Sequence, residues 1–167
     1  MADTSNLKLI ALDAEDLAVI SAQLQDAVLR VGDMTFEKSS RRFALLANRF
    51  NWMDALKADN GKLSEPRNTK DYERRQCALR FEQVRGVQLQ NIDLKDTRRV
   101  LSMLALSFEP LGGDTPEGHV LMLFAGGAAL RLDVEYVECE LRDLGGAWAT
   151  RSRPQHAIVN DAADGDD

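Results

Sequence analysis

Two cysteines and two histidines are all that this 167-residue chain has of the thiols and imidazoles on which structural zinc sites and disulfide scaffolds are built, and aromatic residues make up only 6% of it. Cys77 and Cys139 are too few for a disulfide framework, and together with His119 and His156 they lie scattered, with none of the paired spacings of a structural zinc site. Both cysteines are read as reduced, half-buried thiols. The longest uncharged apolar stretch, Val120 to Leu130, reaches about half of the ~20 residues that a spanning helix needs and is broken by Gly126 and Gly127. The start, MADTSNLKLIALDAED, lacks the basic opening, long apolar core and small-residue cleavage site of a secretory signal. No membrane span and a cytoplasmic location are therefore expected.

Catalytic and phosphate-binding signatures are missing as well. No G-x-S-x-G turn occurs, and Gly126-Gly127 lacks the G-x-G-x-x-G spacing and joins two alternating segments rather than opening a helix. Gly61-Lys62 fails as a P-loop because Leu63 stands where Ser or Thr is needed and Leu56 where Gly is needed. No catalytic residue, cofactor ligand or metal ligand is assigned.

What is present is an aliphatic-rich composition, 44% hydrophobic and 29% charged, of the soluble globular kind. The length fits one domain, placed at residues 1–150, with an aspartate-rich tail at 151–167 expected to be disordered. The net charge of −6 is unevenly spread: residues 41–99 carry 14 basic and 8 acidic side chains, whereas the segments on either side are acidic. Such asymmetry steers an acidic partner or is satisfied within the fold.

The order of elements follows from periodicity. Leu7 to Leu12 is a short strand; Asp13 then stands as an N-cap, with Glu15 and Asp16 in the first turn of a helix from about Ala14 to Ala27. Leu17, Ile20 and Leu24 mark its inward face. Leu29 and Val31 share one strand parity and Met34 and Phe36 the other, which implies an extra residue near Gly32 and Asp33, most simply a bulge. Phe43, Leu45 and Ala47 alternate until Phe50 and Trp52 switch parity, which predicts a bend near Asn48. Residues 54–71 form a polar loop, and further strands follow around Cys77 to Phe81, Val87 to Leu89 and Leu104 to Phe108, with turns at Arg85-Gly86 and Leu94 to Thr97.

The run from His119 to Leu144 reads as strand, Gly-Gly hairpin, strand and then helix, the helix resting on Val137, Leu141 and Leu144 at i, i+4 and i+7. Glu135, Glu138, Glu140 and Asp143 fall off that stripe and are read as its solvated face. The expected fold is α+β: strongly bent antiparallel sheets of about seven strands in a pleckstrin-homology-like open barrel, with an N-terminal strand-helix extension and a C-terminal helix. A generic antiparallel sheet with two packed helices fits the same pattern.

LKLIALDAEDLAVISAQLQDAVLRVGD at 7–33, RRFALLANRFNW at 41–52 and LFAGGAALRLDVEYVECELRDLGGAWAT at 123–150 resemble an alphaproteobacterial family described as domain of unknown function 2948. The resemblance implies a bacterial cytoplasmic protein and brings no activity, cofactor or site residues.

The best candidate binding surface is basic and aromatic: Arg41, Arg42, Arg49, Arg74 and Arg75, with Phe50 and Trp52 beside them. Cations neutralise phosphates and exposed rings stack on bases, yet Glu73, Glu82, Asp93 and Asp96 interrupt the basic run and the whole chain is acidic. A non-enzymatic module binding another protein, through the 54–71 loop or an exposed sheet edge, is therefore favoured over a nucleic-acid binder. A small-molecule binder or enzyme with a pocket in the curved sheet is the alternative. An exposed edge strand also permits a homodimer.

Overall fold

A computed structural model describes residues 6–50 and 74–145. Ten strands and one α-helix follow in the order β1 (Lys8–Ala11), α1 (Ala14–Leu24), β2 (Val28–Arg30), β3 (Met34–Glu37), β4 (Arg42–Phe50), β5 (Arg74–Phe81), β6 (Val84–Gln90), β7 (Val100–Pro110), β8 (Gly118–Phe124), β9 (Ala129–Val134) and β10 (Cys139–Asp143). All pairings are antiparallel, and the strands form one sheet in the order β1-β10-β5-β4-β2-β7-β8-β9-β6, with β3 attached to β4 off that path.

The α+β expectation is thus corrected. The described chain is mostly strand, the path of pairing ends in β1 and β6 and is not closed, and no C-terminal helix follows β9 among the described residues. The predicted N-terminal extension exists as β1 and α1, but β1 is built into the sheet by pairing with β10 rather than standing outside it. The segment read as the closing helix forms β10 and the turn before it, and Val137, Cys139, Leu141 and Asp143 along it are all buried at period two. Val137 and Leu141 satisfy both periods, so the decision rests on Cys139 and Asp143, and an aspartate in the core series is what disguised the strand.

The sheet folds over on itself at one corner. β5 runs into β6 through Glu82 and Gln83, β9 runs into β10 through residues 135–138, and the two bent strands stay bonded around the turn: the Glu82 N–H donates to the Glu138 carbonyl at 2.9 Å and the Glu135 N–H to the Gln83 carbonyl at 3.0 Å. Gln83 takes a left-handed φ of 60° there, and the register shifts between Val84 and Gly86. The predicted turn at Arg85-Gly86 is therefore this corner, three residues earlier in the chain, followed by a bulge. Local twist of that kind is what carries a ladder around a bend.

Other expectations hold in detail. The Asp13 carboxylate accepts the Asp16 N–H at 2.8 Å, capping a helix that buries Leu17, Ile20 and Leu24 against the sheet. At the tip of the β8–β9 hairpin Gly126 and Gly127 have φ values of 84° and 86°, left-handed conformations that favour glycine. The parity switch after Val31 is a single 3₁₀ turn, Val31–Asp33, rather than a bulge, and it separates β2 from β3.

The inner face is laid out in rows across four strands. Ala11, Cys139, Phe81 and Phe43 form one row, Leu9, Leu141, Leu79 and Leu45 the next, and Asp143, Cys77 and Ala47 the third. Nearly every member is buried, and β7, β8 and β9 add Leu101, Met103, Val120, Met122, Leu130, Leu132 and Val134 to the same core. At ~1.5–3 kcal/mol for each large apolar side chain removed from water, these rows supply the main drive to fold.

Candidate functional site

The five arginines singled out from the sequence sit at opposite ends of β4 and its neighbour β5. Arg42 opens β4 and Arg49 nearly closes it, which at ~3.3 Å per residue separates them by about 23 Å. Arg41 and Arg42 lie at the corner; Arg49, Arg74 and Arg75 lie at the far end, so one continuous surface is not formed by all five.

At the corner, Arg41 pairs with Glu135, and Arg42 Nε lies 3.0 Å from Glu82. Arg80 bridges Glu82 at 2.9 Å and Glu140 at 2.7 Å, while Lys8 and Arg142 close on the same Glu140 at 3.7 and 3.3 Å. Arg85 reaches Asp133 at 3.2 Å and Glu117 at 3.5 Å. Burial pushes the Glu140 carboxyl up, yet the combined pull of Arg142, Arg80 and Lys8 prevails and holds it below the usual range. The basic middle of the chain is in this way answered by its own Glu82 and by acids from the acidic C-terminal third.

At the far end the arginines turn inward. Arg49 continues the inward series Phe43, Leu45, Ala47 and makes a two-pronged pair with Asp143, Nε to Oδ1 at 2.9 Å and Nη2 to Oδ2 at 2.8 Å, with side-chain exposures of 3% and 0%. The small side chains of Ala47 and Cys77, which fill the row beside Asp143, leave room for the guanidinium. Asp143 Oδ2 also accepts the Leu7 N–H at 2.8 Å, and Gln23 of α1 accepts from Arg49 Nη1 at 3.4 Å. Arg75 is buried beside Arg49 in the register, and Arg74 lies over the Phe50 ring at 5.6 Å from its centroid, a cation–π contact. Within β4 the predicted bend near Asn48 does not appear: pairing with β5 continues through Arg49 to Phe50, and Trp52 lies outside the described residues.

Asp143 is the residue that sequence reasoning missed, because it was assigned to a solvated helix face. The signal that finds it is the pair of inward series, each ending in one charge of opposite sign. Of the other acids in that group, Glu135 and Glu140 hold the ion pairs given above and Glu138 accepts from Gln83 at 3.3 Å.

Both cysteines are free and buried, in agreement with reduced thiols, though more deeply than half. Burial pushes the Cys77 thiol up to about 12, against the smaller opposing pull of Arg49, and drives Cys139 further still. Neither is poised as a nucleophile. Among the described residues no group of three or more His, Cys, Asp or Glu side chains is placed to hold a metal ion. No helix among them is long and apolar enough to cross a membrane. The 54–71 loop and the 151–167 tail lie outside the described residues.

The remaining unusual feature is a seam. β3 pairs only with β4, and β6 only with β9, so each offers an edge that no strand among the described residues covers. The two edges flank one another, pinned at both ends. At one end the Val84 N–H donates to the Arg41 carbonyl at 2.9 Å. At the other, the loop after β6 is tied to the 3₁₀ turn before β3, the Val31 and Gly32 N–H groups donating to the Arg99 and Thr97 carbonyls at 2.9 Å. Between the pins, Met34 and Phe36 of β3 and Val87 and Leu89 of β6 pack against the core but stay half-buried.

The fold and these features define a mostly antiparallel β protein, ion-paired outside and inside, whose sheet stops short of closing. Residues 7–156 match the model of the family described as "Protein of unknown function (DUF2948)", and the chain belongs to that family. Neither the search of curated proteins nor that of solved structures finds a match.

Proposed function

We propose that this is a non-enzymatic, cytoplasmic protein-binding module that takes an extended segment of a partner protein along the β3–β6 seam. The observation that carries the reading is the pairing of two uncovered strand edges with a line of four half-buried apolar side chains, Met34, Phe36, Val87 and Leu89. An extended chain offers what each edge lacks, a row of backbone donors and acceptors, and its alternate side chains meet the apolar line. The corner arginines Arg41 and Arg42 border one mouth of the seam, and their exposed flanks favour an acidic residue at that end of the partner segment.

Selection of displayed peptides against the full chain tests this. The reading expects peptides with alternating apolar residues, whose binding slows amide exchange at residues 34–37 and 86–90 and is lost in Val87→Lys. Peptides that bind Val87→Lys undiminished, or that leave those amides unprotected, would refute it.

A further inference from the structure

A second feature stands apart from the seam and does not rest on it. β2 touches β4 at one residue pair only, Val28 with Asn48, before the chain turns through Val31–Asp33 and rejoins β4 as β3. The interruption leaves a cleft of about 170 Å³ beside Leu46 and Ala47, lined also by Val28 and Val100 and carrying Arg30, Asp33, Asn48 and Gln76. It is smaller than the ~300–1,000 Å³ of pockets for drug-sized ligands and cofactors, and at ~30 Å³ per water it holds the volume of a few waters.

Among the described residues, the side chains of Arg30, Asn48 and Gln76 in this cleft are not tied into the fold. Nearly every described arginine is engaged, in an ion pair, over a ring or on a carbonyl, as Arg99 is on Asn91. Arg30 makes no side-chain hydrogen bond or ion pair with any described residue, and neither do the carboxamides of Asn48 and Gln76. Arg30 and Asp33 attract one another electrostatically without closing to an ion pair, so a gap separates a cation from an anion. Burial raises the Asp33 carboxyl, partly offset by the charge and a backbone hydrogen bond of Arg30. A cation brought into the cleft favours its ionised form.

We infer that this cleft binds a small zwitterion of the free amino acid class, its carboxylate on the Arg30 guanidinium and its ammonium on Asp33, with Asn48 and Gln76 meeting its remaining polar atoms. The guanidinium fork matches a carboxylate in two parallel hydrogen bonds, while Asp33 only accepts, so the two ends of the ligand are not interchangeable. Val28 and Val100 supply the apolar ground for a short side chain, and the volume excludes nucleotides.

The test is calorimetric titration and thermal shift of the full chain with a panel of free amino acids, beside their N-acetyl derivatives, which lack the ammonium, and their amides, which lack the carboxylate. At least one free amino acid is expected to bind and raise the unfolding midpoint. Each derivative, and each of the variants Arg30→Gln and Asp33→Asn, is expected to bind at least tenfold more weakly, the scale of one lost charged hydrogen bond. Arg30 is exposed and its side chain makes no hydrogen bond or ion pair with a described residue, so Arg30→Gln stays folded, which circular dichroism verifies. No binding by any free amino acid at millimolar concentration, derivatives that bind as well as the parent, or undiminished binding by both variants would each overturn the proposal. Displayed peptides that bind at the seam leave these outcomes unchanged.

Discussion

Replacing Asp143 by Asn leaves the Arg49 guanidinium, 3% exposed, facing a neutral group in the core. Breaking a buried pair by neutralising one member costs about 3–5 kcal/mol, because the charge that stays behind has lost its compensation. For a chain of this length each kcal/mol moves the thermal midpoint by roughly 2–4 °C, so Asp143→Asn should lower it by about 6–20 °C. Arg49→Met leaves the Asp143 carboxylate with only the Leu7 N–H among its described partners and should cost a similar amount. The double variant Arg49→Met/Asp143→Leu removes both charges, and exchange of a buried pair for apolar groups is near neutral or stabilising. It should therefore be more stable than either single variant. Urea denaturation is the suitable assay, since urea, unlike guanidinium chloride, adds no salt to screen the pair. Single variants within about 1 kcal/mol of the parent, or a double variant whose loss equals the sum of the singles, would show that the two charges do not depend on each other and would refute the reasoning.

The buried thiols of Cys77 and Cys139 should resist a thiol-specific reagent in the folded protein and react fully in denaturant; rapid labelling of the native state at neutral pH would contradict their burial. Glu140 is held below its ordinary titration range in the folded state, so its share of stability is present above the unfolded pKa and is lost as pH falls through the folded one. Stability measured against pH should fall on that acidic limb, and Glu140→Gln should flatten it. A Cβ placed on Gly118 would lie 2.5 Å from the Glu109 carbonyl oxygen and 2.5 Å from the Phe108 ring, so Gly118→Ala should destabilise by about 1–3 kcal/mol in the same urea assay, whereas Gly86→Ala, with open space around it, should not overpack.

The elements that were legible in the sequence are those fixed by local chemistry. Asp13 caps its helix because a carboxylate three residues before an N–H satisfies it whatever the rest of the chain does, and Gly126-Gly127 makes its turn because few other residues take a positive φ so readily. The misread elements trace to one interaction. The bend near Asn48 was drawn from the apolar residues Phe50 and Trp52, with Arg49 left out of the inward series, and Asp143 was counted as a solvated acid, so that Val137, Leu141 and Leu144 read as a helical stripe. Each charge is tolerable in the core only because the other is there, and they are far apart in the chain. A pattern that scores residues one at a time therefore discards both. The cleft was invisible for a related reason: Arg30, Asp33, Asn48 and Gln76 come from β2, a turn, β4 and β5, and no spacing in sequence announces that three strands will bring them together.

The pairing of β1 with β10 has a consequence for how the molecule comes into being. The Leu7 N–H that bonds Asp143 crosses a sequence separation of 136 residues, and the whole β1 ladder is of that range. Closure of so long a loop comes late and slows folding, whereas β7, β8 and β9 pair with near neighbours and gain their contacts early. On the ribosome β1 emerges long before its partner β10, with Leu9 and Ala11 exposed until Cys139 and Leu141 arrive. Among the described strands, β1 is thus the one most in need of protection in the nascent chain, and the last to be secured in the sheet.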